Sequence, residues 1–229
     1  MTIMKTASQT FTEESRMKIR DAVAFAEKKT SGEIVPVAAT ASGRYDRAED
    51  IFGFLVAIVT LGAAWLLFGA DVPAGDFDQP FMTTRLSLPV ALILLVVSFS
   101  AGAALATWFP WLRLPFITKT EMTMEVERAA AAAFHSLRVS GAKSRTGVLI
   151  YVSLYERMVR VIADEAIANQ VDQSVWEEVV RLVVNGMVMD SPAEGFAAAI
   201  HKSGEILSGP FPRPADDVDE ISNELRLLD

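Results

Sequence analysis

The chain has 229 residues, no cysteine, 21 basic against 29 acidic residues and a formal net charge of −8. Without cysteine there are no disulfides and no thiolate chemistry. An acidic protein is also a poor partner for nucleic acid, because the phosphates repel it.

The first predicted helix covers residues 12–29. Glu13 and Glu14 lie in its first turn and Lys28 and Lys29 in its last, as the helix dipole favours. Ile19, Ala22, Val23 and Ala26 share one apolar face, and Ser31-Gly32 ends the helix. A strand follows over 33–40. Pro36 inside it has no N–H to give to a ladder, so one side of that strand is expected to be an edge or a bulge.

The next stretch, IFGFLVAIVTLGAAWLLFGA at 51–70, carries no charge between Asp50 and Asp71. A helix of that length is about 30 Å long, the thickness of a hydrocarbon core. A second uncharged run, 86–112, lies between Arg85 and Arg113, with Pro89 and Pro110 trimming it to a span of about 86–109. The linker 71–85 is short and holds Asp71, Asp76, Asp78, Pro73 and Pro80, so the spans read as a transmembrane hairpin over 50–112. Core helices of soluble proteins usually keep a polar stripe, which these runs lack. A signal peptide does not fit, because the first 49 residues are polar and mixed.

Charge sets the expected topology. The linker has one basic residue, Arg85, whereas Arg44, Arg47, Arg113, Lys119 and Arg128 flank the spans. The positive-inside rule therefore places both termini in the cytoplasm of a cell-membrane protein with two spans. Trp108 and Trp111 stand where an aromatic belt belongs. Neither span carries an ionisable residue, which argues against transport or a proton relay. The small residues Gly62, Ala63 and Ala64, and Ala101, Gly102, Ala103 and Ala104, suit close helix packing, on one another or on another membrane protein.

After the hairpin, Thr118-Lys-Thr-Glu121 is a capping-box pattern that opens a helix to about 138. Val126, Ala129, Ala130, Ala133, Phe134 and Leu137 give its inward face. The run VLIYVS at 148–153 is apolar nearly throughout, as a strand buried on both faces should be. A four-residue turn, Leu154-Tyr155-Glu156-Arg157, leads to a second strand at 158–164, so the pair is antiparallel. Ser174-Val-Trp-Glu177 and Ser191-Pro-Ala-Glu194 read as two more capping boxes, the second with Pro192 at the favoured first helical position. Beyond 208 lies an acidic, proline-containing tail, 209–229. The order predicts an α/β fold, with 1–49 and 113–208 forming one split cytoplasmic domain around the hairpin.

The segment TGVLIYVSLYERMVRVIAD at 146–164 resembles the centre of a TPM domain, a module of thylakoid lumen proteins and many bacterial membrane proteins. SGEIVPVAA at 31–39 resembles that module's first strand, and FPRPADDVDEISNEL at 211–225 is similar to endings in a bacterial branch carrying an inserted hairpin. The resemblance implies a TPM-like α/β/α sandwich with a small mixed sheet. The hairpin would be an anchor placed in a tolerant loop after the first strand. Family members carry acid phosphatase activity, bind calcium, or assemble and repair membrane complexes. The family pattern after the second strand of the pair is Gly-Tyr-Gly-Leu-Glu and then an aspartate. Here DEAIANQVD occupies 164–172: the glycines and the glutamate are absent, Asp164 takes the first glycine's place, and Asp172 matches the later aspartate.

Asp164, Glu165 and Asp172, with Glu33 expected at the same end of the sheet, form the candidate metal group. Converging carboxylates are what Ca²⁺ or Mg²⁺ requires. The same aspartates are equally suited to capping helix starts, and Arg160 is near enough in sequence to neutralise Asp164. In SGAKSRTG at 140–147, Lys143 and Arg145 are candidates for holding a phosphate, though the spacing is not that of a P-loop and the segment also reads as a solvated loop. His135 and His201 lack zinc-type spacing, and Ser140, Ser144 and Ser153 have no nearby base. The expected function is that of a non-enzymatic, membrane-anchored TPM-domain protein, a binding or assembly and quality-control factor for a membrane complex. Its partners are the lipid bilayer and another membrane protein, with no nucleic acid and no required cofactor. The alternative is a metal-dependent, acid-phosphatase-like enzyme using Asp164 and Asp172.

Overall fold

In the computed structural model, which describes residues 5–68, 86–139, 146–214 and 221–229, four strands form one mixed sheet in the order β3-β2-β1-β4. The strands are β1 (Glu33–Ala39), β2 (Gly147–Ser153), β3 (Met158–Ala163) and β4 (Arg226–Leu228). β1 runs parallel to β2 and to β4, while β2 and β3 are antiparallel, as the four-residue turn between them requires. All seven residues of β1 and of β2 are buried, which accounts for their apolar character on both faces. The chain divides into two units. One comprises residues 1–43 and 120–229 and contains the sheet; the other is residues 44–119.

The unit with the sheet has helices α1 (Ala7–Thr10), α2 (Glu13–Glu27), α5 (Lys119–Ser136), α6 (Glu165–Ala168), α7 (Trp176–Val188) and α8 (Pro192–Ser208). Alternation along the strands sorts the core into two clusters. Ile34, Val148 and Ile150 pack with Ile19 and Val23 of α2, Val179 and Val183 of α7, and Phe196 and Ile200 of α8. Val35, Val37, Leu149 and Tyr151 pack with Val126, Ala130 and Phe134 of α5. Thr12 caps α2, its side chain accepting from Ser15 N.

Pro36 lies in an interior strand, yet the expectation attached to it is met locally. Glu33 N donates to Thr146 O on the β2 side, and Thr40 N donates to Leu228 O on the β4 side. Successive residues alternate, so the nitrogen of Pro36 faces the β4 side. β4 pairs only with Val37–Ala39, and its register begins one residue past Pro36. The residue without an N–H thus stands where no ladder bond is called for. β4 itself was not expected: it comes from the segment read as tail, held by Leu225 and Leu227 against the α2–α7–α8 side of the core.

Two expected caps are corrected. Ser174 does not cap α7; Asp172 accepts from Ser174 N and opens a short 3₁₀ turn (Gln173–Val175) ahead of the helix. Aspartate is the stronger acceptor, and its position two residues earlier takes the amide first. Ser191 makes no side-chain cap bond to α8, although Pro192 does sit at the first helical position; Gly195 N bonds the Ser191 carbonyl instead.

The second unit contains α3 (Asp46–Phe68) and α4 (Leu88–Trp108), both long and apolar enough to cross a membrane. They pack against each other through small residues, among them Gly53, Ala57, Gly102 and Ala106, all buried. Large apolar side chains point away, including Leu66 at 86% exposure and Val59 at 69%. Near one end, Glu49 is held by Arg113 and by Thr107 Oγ1 at 2.9 Å, and Arg113 also donates to Arg44 O at 3.1 Å. The linker 71–85 lies outside the described residues.

Candidate functional site

The carboxylates predicted to converge are only partly brought together. Register places Glu33 opposite Gly147 on one side, and on the other Asp164 N donates to Gly147 O at 2.9 Å. Glu33 and Asp164 therefore flank Gly147 at the same end of the sheet, as expected, and both are buried, at 6% and 9% exposure. Position 147 requires glycine because a Cβ there would lie 2.3 Å from Val139 O. With strands about 4.8 Å apart, the two acidic backbones stand about 10 Å from each other.

Asp164 Oδ1 accepts from Glu165 N at 2.8 Å and caps α6, whereas Oδ2 is buried without a hydrogen-bond partner. Glu165 is exposed. Asp172 is exposed too, and its Oδ1 accepts from Ser174 N at 2.8 Å and Ser174 Oγ at 2.6 Å. The Ser174 hydroxyl and amide hold the Asp172 carboxyl below the usual carboxylate range. Both aspartates thus act as caps. Among the described residues no group of three or more Asp, Glu, His or Cys side chains stands close enough to hold a metal ion. Arg160 does not neutralise Asp164; it turns to Glu127 of α5, at 3.3 Å. Lys143 and Arg145 lie outside the described residues.

A second polar cluster occupies the opposite end of β1 and β2. The Glu156 carboxylate, in the β2–β3 turn and 6% exposed, accepts from Ser42 N at 3.0 Å, from Gly43 N at 3.2 Å and from Ser153 Oγ. Ser42 Oγ bonds Ser153 Oγ at 2.8 Å and lies 3.0 Å from Tyr151 OH. Burial pushes the Tyr151 phenol up, against the opposing effect of its bond to Ser42. The sequence carries little signal for this cluster. A glutamate in a four-residue turn reads as solvated, and only the pairing of β1 with β2 brings residue 42 beside residue 153. The cluster has one buried charge with its acceptors filled by backbone and hydroxyl donors, which suits a clamp on residues 42 and 43.

No protein-family model and no curated protein matches the sequence. The structure is similar to the NMR structure of BA42 protein from the psychrophilic bacterium Bizionia argentinensis, with a TM-score of 0.56. The two are 18% identical over 96% of this chain and 97% of that chain. At that identity the likeness concerns the fold alone.

Proposed function

We propose that this is a membrane-anchored TPM-like protein. In this reading residues 1–43 and 120–229 form a cytoplasmic α/β/α sandwich, and α3 and α4 form a transmembrane hairpin inserted after its first strand. The observation that carries the reading is the outward apolar surface of the two long helices. Leu55, Ile58, Val59, Leu66 and Phe68 of α3, and Leu92, Ile93, Val96 and Val97 of α4, are all exposed. Water would penalise that surface at roughly 25 cal/mol per Å², and a hydrocarbon core would not. The sandwich acts as a binding module, an assembly or quality-control factor for a membrane complex, with the bilayer and another membrane protein as its partners. It needs no cofactor for this role. The Lys/Arg asymmetry about the spans supports cytoplasmic termini.

Carbonate extraction tests the anchor: the protein is expected to stay with the membranes, and release into the soluble fraction would sink the reading. Reporter fusions at Gly75 and after Asp229 are expected on opposite sides of the membrane.

A second reading, a metal-dependent phosphatase, draws on the buried Asp164 Oδ2 that lacks a hydrogen-bond partner. Calcium or magnesium would be bound there by Asp164 with Glu33. Calorimetric titration with calcium on wild type and Asp164→Asn separates the two readings, since only a cation site gives a heat that the substitution removes.

A further inference from the structure

β3 is an edge strand whose outer side is open. Asp164 N bonds Gly147 O directly opposite it, so positions 158, 160, 162 and 164 give their backbone groups to β2. The amides and carbonyls of Val159, Val161 and Ala163 then point away from the sheet. Among the described residues no backbone hydrogen bond reaches the outward groups of Val161 or Ala163, and Val159 O receives only Arg160 Nη1 at 3.3 Å. Edge strands are usually blunted by proline, lysine or a bulge. β3 has no proline and no lysine, and it pairs with β2 through six consecutive residues without a bulge.

We propose that a second copy of this chain pairs with β3, antiparallel and about a two-fold axis through Val161, joining two four-stranded sheets into one. The register follows from which groups are free. Centring on Val161 sets Val161 opposite Val161 and Val159 opposite Ala163, so all three outward positions become hydrogen-bonded pairs. The same alignment brings the end that carries Arg157, in the turn before the strand, to the end that carries Glu165, the first residue of α6, and the two-fold repeats that approach. Both side chains are exposed, and neither has an ion-pair partner among the described residues. Arg160, whose charge would crowd the seam, is already engaged by Glu127 on the α5 side of the sheet. An isologous contact needs a self-complementary patch, and basic and acidic ends on an open strand supply one.

The chain has no cysteine, so single cysteines report the register cleanly. The full chain is examined in detergent micelles. Val161→Cys is expected to form a disulfide-linked dimer on mild oxidation, since opposed hydrogen-bonded residues lie about 5.5 Å apart at Cα, inside the disulfide range. Val159→Cys is expected not to, because the two copies' residues are four positions out of register, about 13 Å. Arg157→Glu is expected to weaken the dimer roughly tenfold, through two like-charge pairs. Arg157→Glu combined with Glu165→Arg is expected to restore it. Thermal melts of each variant establish that it is folded. A wild-type chain that sediments as a monomer overturns the proposal, as do equal cross-linking at 159 and 161 or a double variant no tighter than the single. Cross-linking of Val161→Cys in native membranes to a band of a different mass overturns it too, and assigns the edge to an extended segment of another protein.

Discussion

Gly53 of α3 and Gly102 of α4 meet so closely that a Cβ on Gly102 would lie 2.9 Å from Gly53 Cα. The helices are held together at this level by backbone-to-backbone approach, with Val56 Cβ also 2.9 Å from that point. In a hydrocarbon surround this is the favoured way to associate, because lipid and leucine are equally apolar and only closeness of packing distinguishes a partner.

Gly102→Ala is therefore expected to force the pair apart and to destabilise it by about 1–3 kcal/mol, the range for overpacking a tight contact. Gly62→Ala is the control. Nothing lies within 4 Å of a Cβ at Gly62. Only helix propensity acts there, favouring alanine by up to about 1 kcal/mol. Thermal unfolding in detergent is expected to move in opposite directions for the two variants. Equal shifts would mean that the helices do not meet at position 102.

Glu156→Gln is expected to cost about 2–4 kcal/mol. The carboxylate accepts from two backbone amides and a hydroxyl in a buried place, and such charge-assisted bonds exceed neutral ones. The amide of glutamine would turn two donor hydrogens toward donors. Denaturant unfolding reads the loss. Limited proteolysis after residue 40 reads its location, since residues 42 and 43 lose their anchor first. Unchanged stability would reduce Glu156 to a solvated turn residue.

Where a segment's own pattern decided its structure, the sequence was a good guide. The apolar runs at β2 and β3, joined by four residues, allowed one pairing, and α2 needed only its caps and one apolar face. Structure that depends on a distant neighbour was harder to read. β4 is three residues long and has no alternation to detect; it exists because β1 has a free edge beyond Pro36. The candidate metal group illustrates the same dependence on distant neighbours. Asp164 and Glu33 do reach one end of the sheet, but Asp172 finds a nearer use in capping the turn at Ser174. Local hydrogen bonds two residues away outcompete convergence that needs a whole fold to arrange.

The last of the predictions concerns how β4 is fastened. The Asp229 side chain accepts from Thr40 Oγ1 at 2.7 Å, from Ser8 N at 3.3 Å and from Ser8 Oγ. Thr40 Oγ1 in turn accepts from Ala7 N at 2.7 Å, so one carboxylate links α1, the end of β1 and the end of β4. The bond from the Ser8 hydroxyl, then that from Thr40, holds the Asp229 carboxyl below its ordinary value. A carboxyl whose folded pKa is depressed contributes stability that is present above its unfolded pKa of about 3.9 and is lost as pH falls through the lower folded value. Protection of the β4 amides against hydrogen exchange is thus expected to hold from neutral pH down to about 4 and to decline below it. Because the group is exposed, the effect belongs to the fastening of β4 and not to global unfolding. Asp229→Asn is expected to lower protection at neutral pH and to flatten this dependence. If wild type and Asp229→Asn lose protection in parallel as the pH falls, another carboxylate controls the strand.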